Sequence, residues 1–190
     1  MRDENDLDFD LSFFKQRGIP KNPKKLKSTL IEAQENTSSK KKKFSKGNAY
    51  QHTKTGSRAD LDGIVARSSW EADVMRILKL YKINFEFEPT EFQFPPDVRG
   101  KTSAYLPDIY LNKTDEFIEV KGYLDSRGRN KLRKFKKYYP NEFKKLIVII
   151  SKSNKANKLF FNKLGVENIL YYEHLSKLFA PKIPNWEGKK

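Results

Sequence analysis

Asp108, Glu119 and Lys121 are the residues of this chain whose types and spacing could do chemistry together. Asp108 follows a proline in "YLPDIYL", and Glu119 and Lys121 stand two apart in "EFIEVKG". Two converging carboxylates offer oxygen ligands to a hard cation such as Mg2+ or Mn2+. Such an ion orients and acidifies an attacking water and stabilises negative charge developing on a phosphate. A lysine beside it can hydrogen-bond that water or the phosphate. The chain has no cysteine and only two histidines, His52 and His174. That excludes disulfides, thiol nucleophiles and Cys- or His-rich metal clusters within it, and fits a reducing cytoplasm. Both histidines read as ordinary polar positions.

The elements that must position these groups follow from apolar periodicity. Residues alternate sides along a strand, so Glu119 and Lys121 share one face of theirs and Ile118 and Val120 the other. If "YLPDIYL" and "EFIEVKG" pair as a hairpin across the turn "NKTD", Asp108 and Glu119 converge at one end. A rigid sheet edge would then hold them. Upstream, "SSWEADVMRILKLYKI" places Trp70, Val74, Ile77, Leu78 and Tyr81 at helical spacing. "NFEFEPTEFQF" reads as strand, turn, strand. Downstream, "SRGRNKLRKFKKYYP" is a basic helix stopped by Pro140, with Leu132, Phe135 and Tyr139 as its packing face. "KKLIVIIS" is apolar throughout, as expected of a strand buried on both faces beside a parallel neighbour. "NKANKLFFNKLG" predicts a helix ending at Gly165, "NILYY" a last strand and "EHLSKLF" a short helix. The order predicts an α/β domain with a central mixed sheet flanked by helices.

The chain has 190 residues and a formal charge of +15, from 39 Lys and Arg against 24 Asp and Glu. Such a balance favours a polyanionic partner, nucleic acid before an anionic membrane surface. No apolar run is long enough to span a bilayer. Residues 1–57 read as a basic arm and 58–190 as the folded domain. Between Lys15 and Lys54 the only acids are Glu32 and Glu35. The run through Lys40, Lys41, Lys42 and Lys43 has too little apolar surface to order itself. It reads either as a solvated charge run or as a phosphate-binding segment.

"PD" followed by "EVK" resembles the signature of the PD-(D/E)xK nuclease superfamily. Within it the chain looks most like the bacteriophage endonuclease I type of Holliday junction resolvase. "RSSWE" (67–71) and "FEFE" (85–88) resemble that family's opening helix and strand, with the same spacing between their acids. The distance from Lys121 to Pro140 agrees as well, and "IPNW" approximates a C-terminal element of the family, one residue shorter. The hairpin is one residue longer than the family's. The resemblance spans roughly residues 66–190 and does not reach the longer leader. It implies a restriction-endonuclease-like core of helix, mixed four-stranded sheet and helix. It also implies Mg2+ or Mn2+ held by Asp108 and Glu119, Lys121 as catalytic lysine, and Glu71 completing a second metal site with Glu86 nearby. A homodimer with exchanged elements, crossing after Pro89, is implied too.

Two of these acids have other readings. Ser68 to Glu71 fits a capping box, with Ser at the N-cap and Glu at N3. Glu86, like Glu88 and Glu91, fits the wet face of an alternating strand. Arg67 and the helix cations Arg127, Arg129, Lys131, Arg133, Lys134 and Lys137 are expected to meet the DNA backbone. The expected function is a Mg2+-dependent endonuclease acting on branched DNA such as four-way junctions, in phage replication or recombination within a bacterial host. A site-specific or nicking endonuclease, or a non-catalytic DNA-binding protein on the same core, are the alternatives.

Overall fold

The sheet strands take their pairing from two long apolar runs and one hairpin. A computed structural model of the chain describes Phe13 and residues 55–188. Its central sheet has five strands: β3 (Phe85–Phe87), β6 (Ile109–Leu111), β7 (Glu116–Lys121), β8 (Leu146–Ile150) and β9 (Asn168–Tyr171), in that spatial order. β3, β6 and β7 are antiparallel neighbours, whereas β7, β8 and β9 run parallel. The domain is therefore α/β with a mixed sheet. β7 is the middle strand, so the candidate residues lie at the end of a central strand and not at a sheet edge.

Two apolar layers cover the sheet. One contains Val74, Met75, Ile77 and Leu78 of α1 (Ser69–Leu80) and Leu175 and Phe179 of α5 (Tyr172–Phe179), packed on Ile118, Val120, Ile147 and Ile149. The other packs Leu132 and Phe135 of α2 (Ser126–Tyr138), Phe143 of α3 (Pro140–Lys144) and Phe161 of α4 (Lys155–Leu164) on Phe117, Leu146, Val148 and Ile150. β8 thus sends alternate side chains into both layers, and all five of its residues are buried. This is why its sequence is apolar without alternation.

Local signals set the helix ends. Ser68 caps α1 by accepting from the Glu71 amide at 3.2 Å. Asp125 caps α2 by accepting from the Gly128 amide at 2.7 Å. α4 ends at Gly165, whose φ of +82° suits a residue without Cβ. Pro140 stops α2 as expected but also begins α3, because proline at the first helical position gives up an amide that has no intrahelical partner.

Three features depart from the sequence reading. The strands β4 (Phe92–Phe94) and β5 (Ser103–Tyr105) form a separate two-stranded ribbon outside the main sheet. β1 (Gly56–Ser57) and β2 (Val65–Ala66) form another, around a 3-10 turn at Ala59–Leu61, so the segment read as an arm contributes a strand to the folded part. Within that same segment Phe13 is helical and buried in the α1-side layer. Lys40, Lys41, Lys42 and Lys43 lie outside the described residues.

Candidate active site

The β6–β7 pairing builds the site. Ile109 opposes Ile118, so Asp108, one residue before β6, comes alongside Glu119. Asp108 Oδ2 accepts from the Val120 amide at 2.7 Å, which fixes its carboxylate against β7. Lys121 Nζ lies 2.8 Å from Glu119 Oε1 and 3.6 Å from Asp108 Oδ2. One ammonium thus bridges two buried carboxylates. Lys121 itself is half-buried, at 28% side-chain exposure, and so is reachable from outside.

The charged face of β7 is covered rather than wet, and Glu119 is only 2% exposed. Tyr105 of the β4–β5 ribbon closes over it and donates its hydroxyl to Glu119 Oε2 at 2.8 Å. Both carboxylate oxygens of Glu119 are therefore engaged. Tyr105 is a site residue that sequence reasoning missed. Its only local signal is its place two residues before Pro107, and the strand pairing that aims it is not local.

Burial pushes the Glu119 carboxyl up, to about 7, with the Asp108 charge adding to the rise and Lys121 opposing it. For Lys121, burial alone would lower the ammonium. The Glu119 and Asp108 charges outweigh that and hold it above its ordinary value. Burial, then the Glu119 charge, raises the Tyr105 phenol well above its usual range, so it remains a donor.

Glu71 makes the cap expected of it. Its Oε1 accepts from Ser68 Oγ at 2.8 Å and its Oε2 from the Arg67 amide at 2.9 Å, completing a cap at the start of α1. It is also buried, which raises its carboxyl, and the Asp108 charge raises it further. Glu71 is therefore electrostatically part of the site. Glu86 is not brought there. It opposes Tyr110, two residues beyond Asp108 along the chain, is exposed, and accepts from the Asn112 amide group. The acid beside Asp108 is instead Glu88, just past the end of β3, whose amide donates to the Asp108 carbonyl at 2.9 Å. Glu88 carries a φ of +49°, and its carboxylate pairs with Arg67 at 2.6 Å. Among the described residues no group of three or more His, Asp or Glu is preassembled as a metal cage. What the fold gathers is the pair Asp108 and Glu119, bridged by Lys121.

The cations of α2 divide by what they touch. Arg129 and Arg133 lie over the Phe160 ring, 5.1 and 5.4 Å from its centroid. Lys134 donates to Ser103 Oγ at 3.0 Å, and Lys137 lies 5.0 Å from the Tyr138 ring centroid. Arg127, Lys131, Arg133 and Lys137 are exposed, so a basic surface begins six residues after Lys121.

A second polar cluster braces α1. Asp73, fully buried, accepts from Arg76, from the Tyr172 hydroxyl at 2.6 Å and from the Glu187 and Gly188 amides. Arg76 in turn pairs with Asp60 and Glu187. Compared with known proteins, the chain matches no family model, no curated protein and no solved structure.

Proposed function

We propose that the protein is a metal-dependent endodeoxyribonuclease of the PD-(D/E)xK type, with branched DNA such as four-way junctions as its substrate class. The observation that carries this reading is the convergence of Asp108, Glu119 and Lys121 at the end of the buried strand β7. Folding alone gives no reason to bury two like charges side by side, since their desolvation is costly. The pair already faces one positive charge, and its oxygens suit a hard cation. Asp108 and Glu119 would hold Mg2+ or Mn2+, with Glu71 close enough to feel its charge. When bound, the ion supplies acidified water and neutralises charge on the phosphate.

The chain's own groups do the rest. The Val120 amide holds Asp108 and the Tyr105 hydroxyl holds Glu119, which pre-organises both acids. Lys121 keeps its proton and can donate to a phosphate oxygen or to the attacking water. The exposed cations of α2 suit a phosphate backbone, which supports recognition by shape more than by base sequence. Among the described residues no helix is long and apolar enough to cross a membrane.

The test is cleavage of four-way-junction, nicked and linear duplex DNA with Mg2+ by wild type, Glu119→Gln and Lys121→Ala. Metal-dependent cutting lost in both variants is the expected result, and the best-cut substrate distinguishes a resolvase from a nicking enzyme. DNA binding without cutting of any substrate would overturn the enzymatic reading in favour of a binding platform.

A further inference from the structure

Tyr123 is the most exposed aromatic side chain among the described residues, at 81%. It lies two residues beyond Lys121, in the short link between β7 and α2. Among the described residues no hydrogen bond or ring contact engages its ring. The link is nevertheless anchored on both sides. The Gly122 backbone rests on the Trp70 indole, where an added Cβ would meet ring carbons at 3.6 Å. Trp70 in turn stacks on Tyr172, with ring centroids 4.0 Å apart and planes at 8°. On the other side, Leu124 is buried in the α2-side layer and Asp125 caps α2. Tyr123 is thus held outward between two fixed neighbours.

An exposed tyrosine ring beside a cationic surface has few uses. Its two side-chain torsions lose little entropy when it is covered. One ring is too small to anchor a membrane or a protein interface. It does match a nucleobase, which offers a π-face whatever its sequence. Lys121 precedes it, and Arg127 follows on the first turn of α2, so cations for the adjoining phosphates flank it. Bases inside a continuous duplex are already stacked on one another. Only a base free of that stack can lie on Tyr123.

We infer that Tyr123 is a positioning residue that stacks on an unpaired base next to the phosphate bound at Asp108, Glu119 and Lys121. This rests on the nuclease reading and narrows its substrate to DNA with an unpaired nucleotide beside the cut. The ring selects forks, flaps and open junction centres over continuous duplex.

The test uses the full chain in a Glu119→Gln background, so that no strand is cut. Binding of a forked DNA and of a continuous duplex is compared for Tyr123, Tyr123→Ala and Tyr123→Trp. A 2-aminopurine at the first unpaired position reports stacking by its quenching. Loss of one stacked base weakens forked-DNA binding on the order of ten-fold. Tyr123→Ala should show that loss with the quenching gone, keep its duplex affinity, and be rescued by Tyr123→Trp. Equal affinities of Tyr123→Ala and Tyr123 for the fork, or equal losses on fork and duplex, overturn the stacking role and leave the nuclease reading intact. Failure of the Tyr123 protein to bind either DNA overturns both.

Discussion

Glu119→Gln should make the protein more stable at pH 8 while removing its proposed activity. The Glu119 carboxyl ionises near 7 in the fold against an ordinary 4.5. The folded state therefore holds this proton more tightly than the unfolded chain does. The stability this brings is fully present below 4.5 and is lost as pH rises through about 7. The loss is about 3 kcal/mol well above that range. Glutamine imitates the protonated acid: it can still accept from the Tyr105 hydroxyl, and like the acid it forgoes the ion pair with Lys121. The variant should match wild type near pH 4 and exceed it by about 3 kcal/mol at pH 8. Urea unfolding in metal-free buffer, followed by the fluorescence of Trp70 and Trp186, measures this directly. With a slope near 2 kcal/mol/M the midpoint should move by about 1.5 M. A difference that stays flat between pH 4 and 8, or a variant weaker than wild type at pH 8, would refute the burial and charge argument for Glu119.

If Glu119 holds a metal as proposed, Tyr105→Phe should leave the fold intact and lower metal affinity or cleavage about 10- to 100-fold, because it removes the hydrogen bond that orients the Glu119 carboxylate; calorimetric Mn2+ titration checks it. Asp73→Ala should cost about 3–5 kcal/mol by leaving the Tyr172 hydroxyl and the Glu187 and Gly188 amides without their acceptor and removing one partner of the buried Arg76. It should also expose the chain near Trp186 to limited proteolysis. Ser68→Ala should cost about 1 kcal/mol through loss of the α1 cap, read as a fall in thermal midpoint. Replacing Arg127 and Lys131 together should weaken DNA binding evenly across sequences and lower the salt slope by roughly one for each phosphate no longer neutralised.

The sequence patterns that proved legible were local ones. Alternation in "EFIEVKG" separated Glu119 and Lys121 from Ile118 and Val120, and the hairpin register then aligned Asp108. The unbroken run at 146–150 marked a strand covered on both sides. The Ser68–Glu71 spacing marked a cap that the structure contains. What stayed hidden depends on distant pairing. Tyr105 reaches Glu119 only because β5 pairs with β4 outside the main sheet. Glu88 takes the place beside Asp108 because the β3–β6 register sets Glu86 two residues away, opposite Tyr110. The brace on Asp73 comes from Glu187 and Gly188, more than a hundred residues away, with no local trace at either end.

The parallel pairing of β7 with β8 also bears on how the chain is made. The β6–β7 hairpin is local and can close as soon as its two strands exist, whereas β8 follows only after α2 and α3. At about 5–20 residues per second, β7 waits as an open edge for on the order of seconds during synthesis. Open edges invite pairing with other chains, and charged side chains discourage it. Glu119 and Lys121 flank Val120 on that waiting strand. Until β8 arrives, the same charges that form the site act as its guard against misassembly.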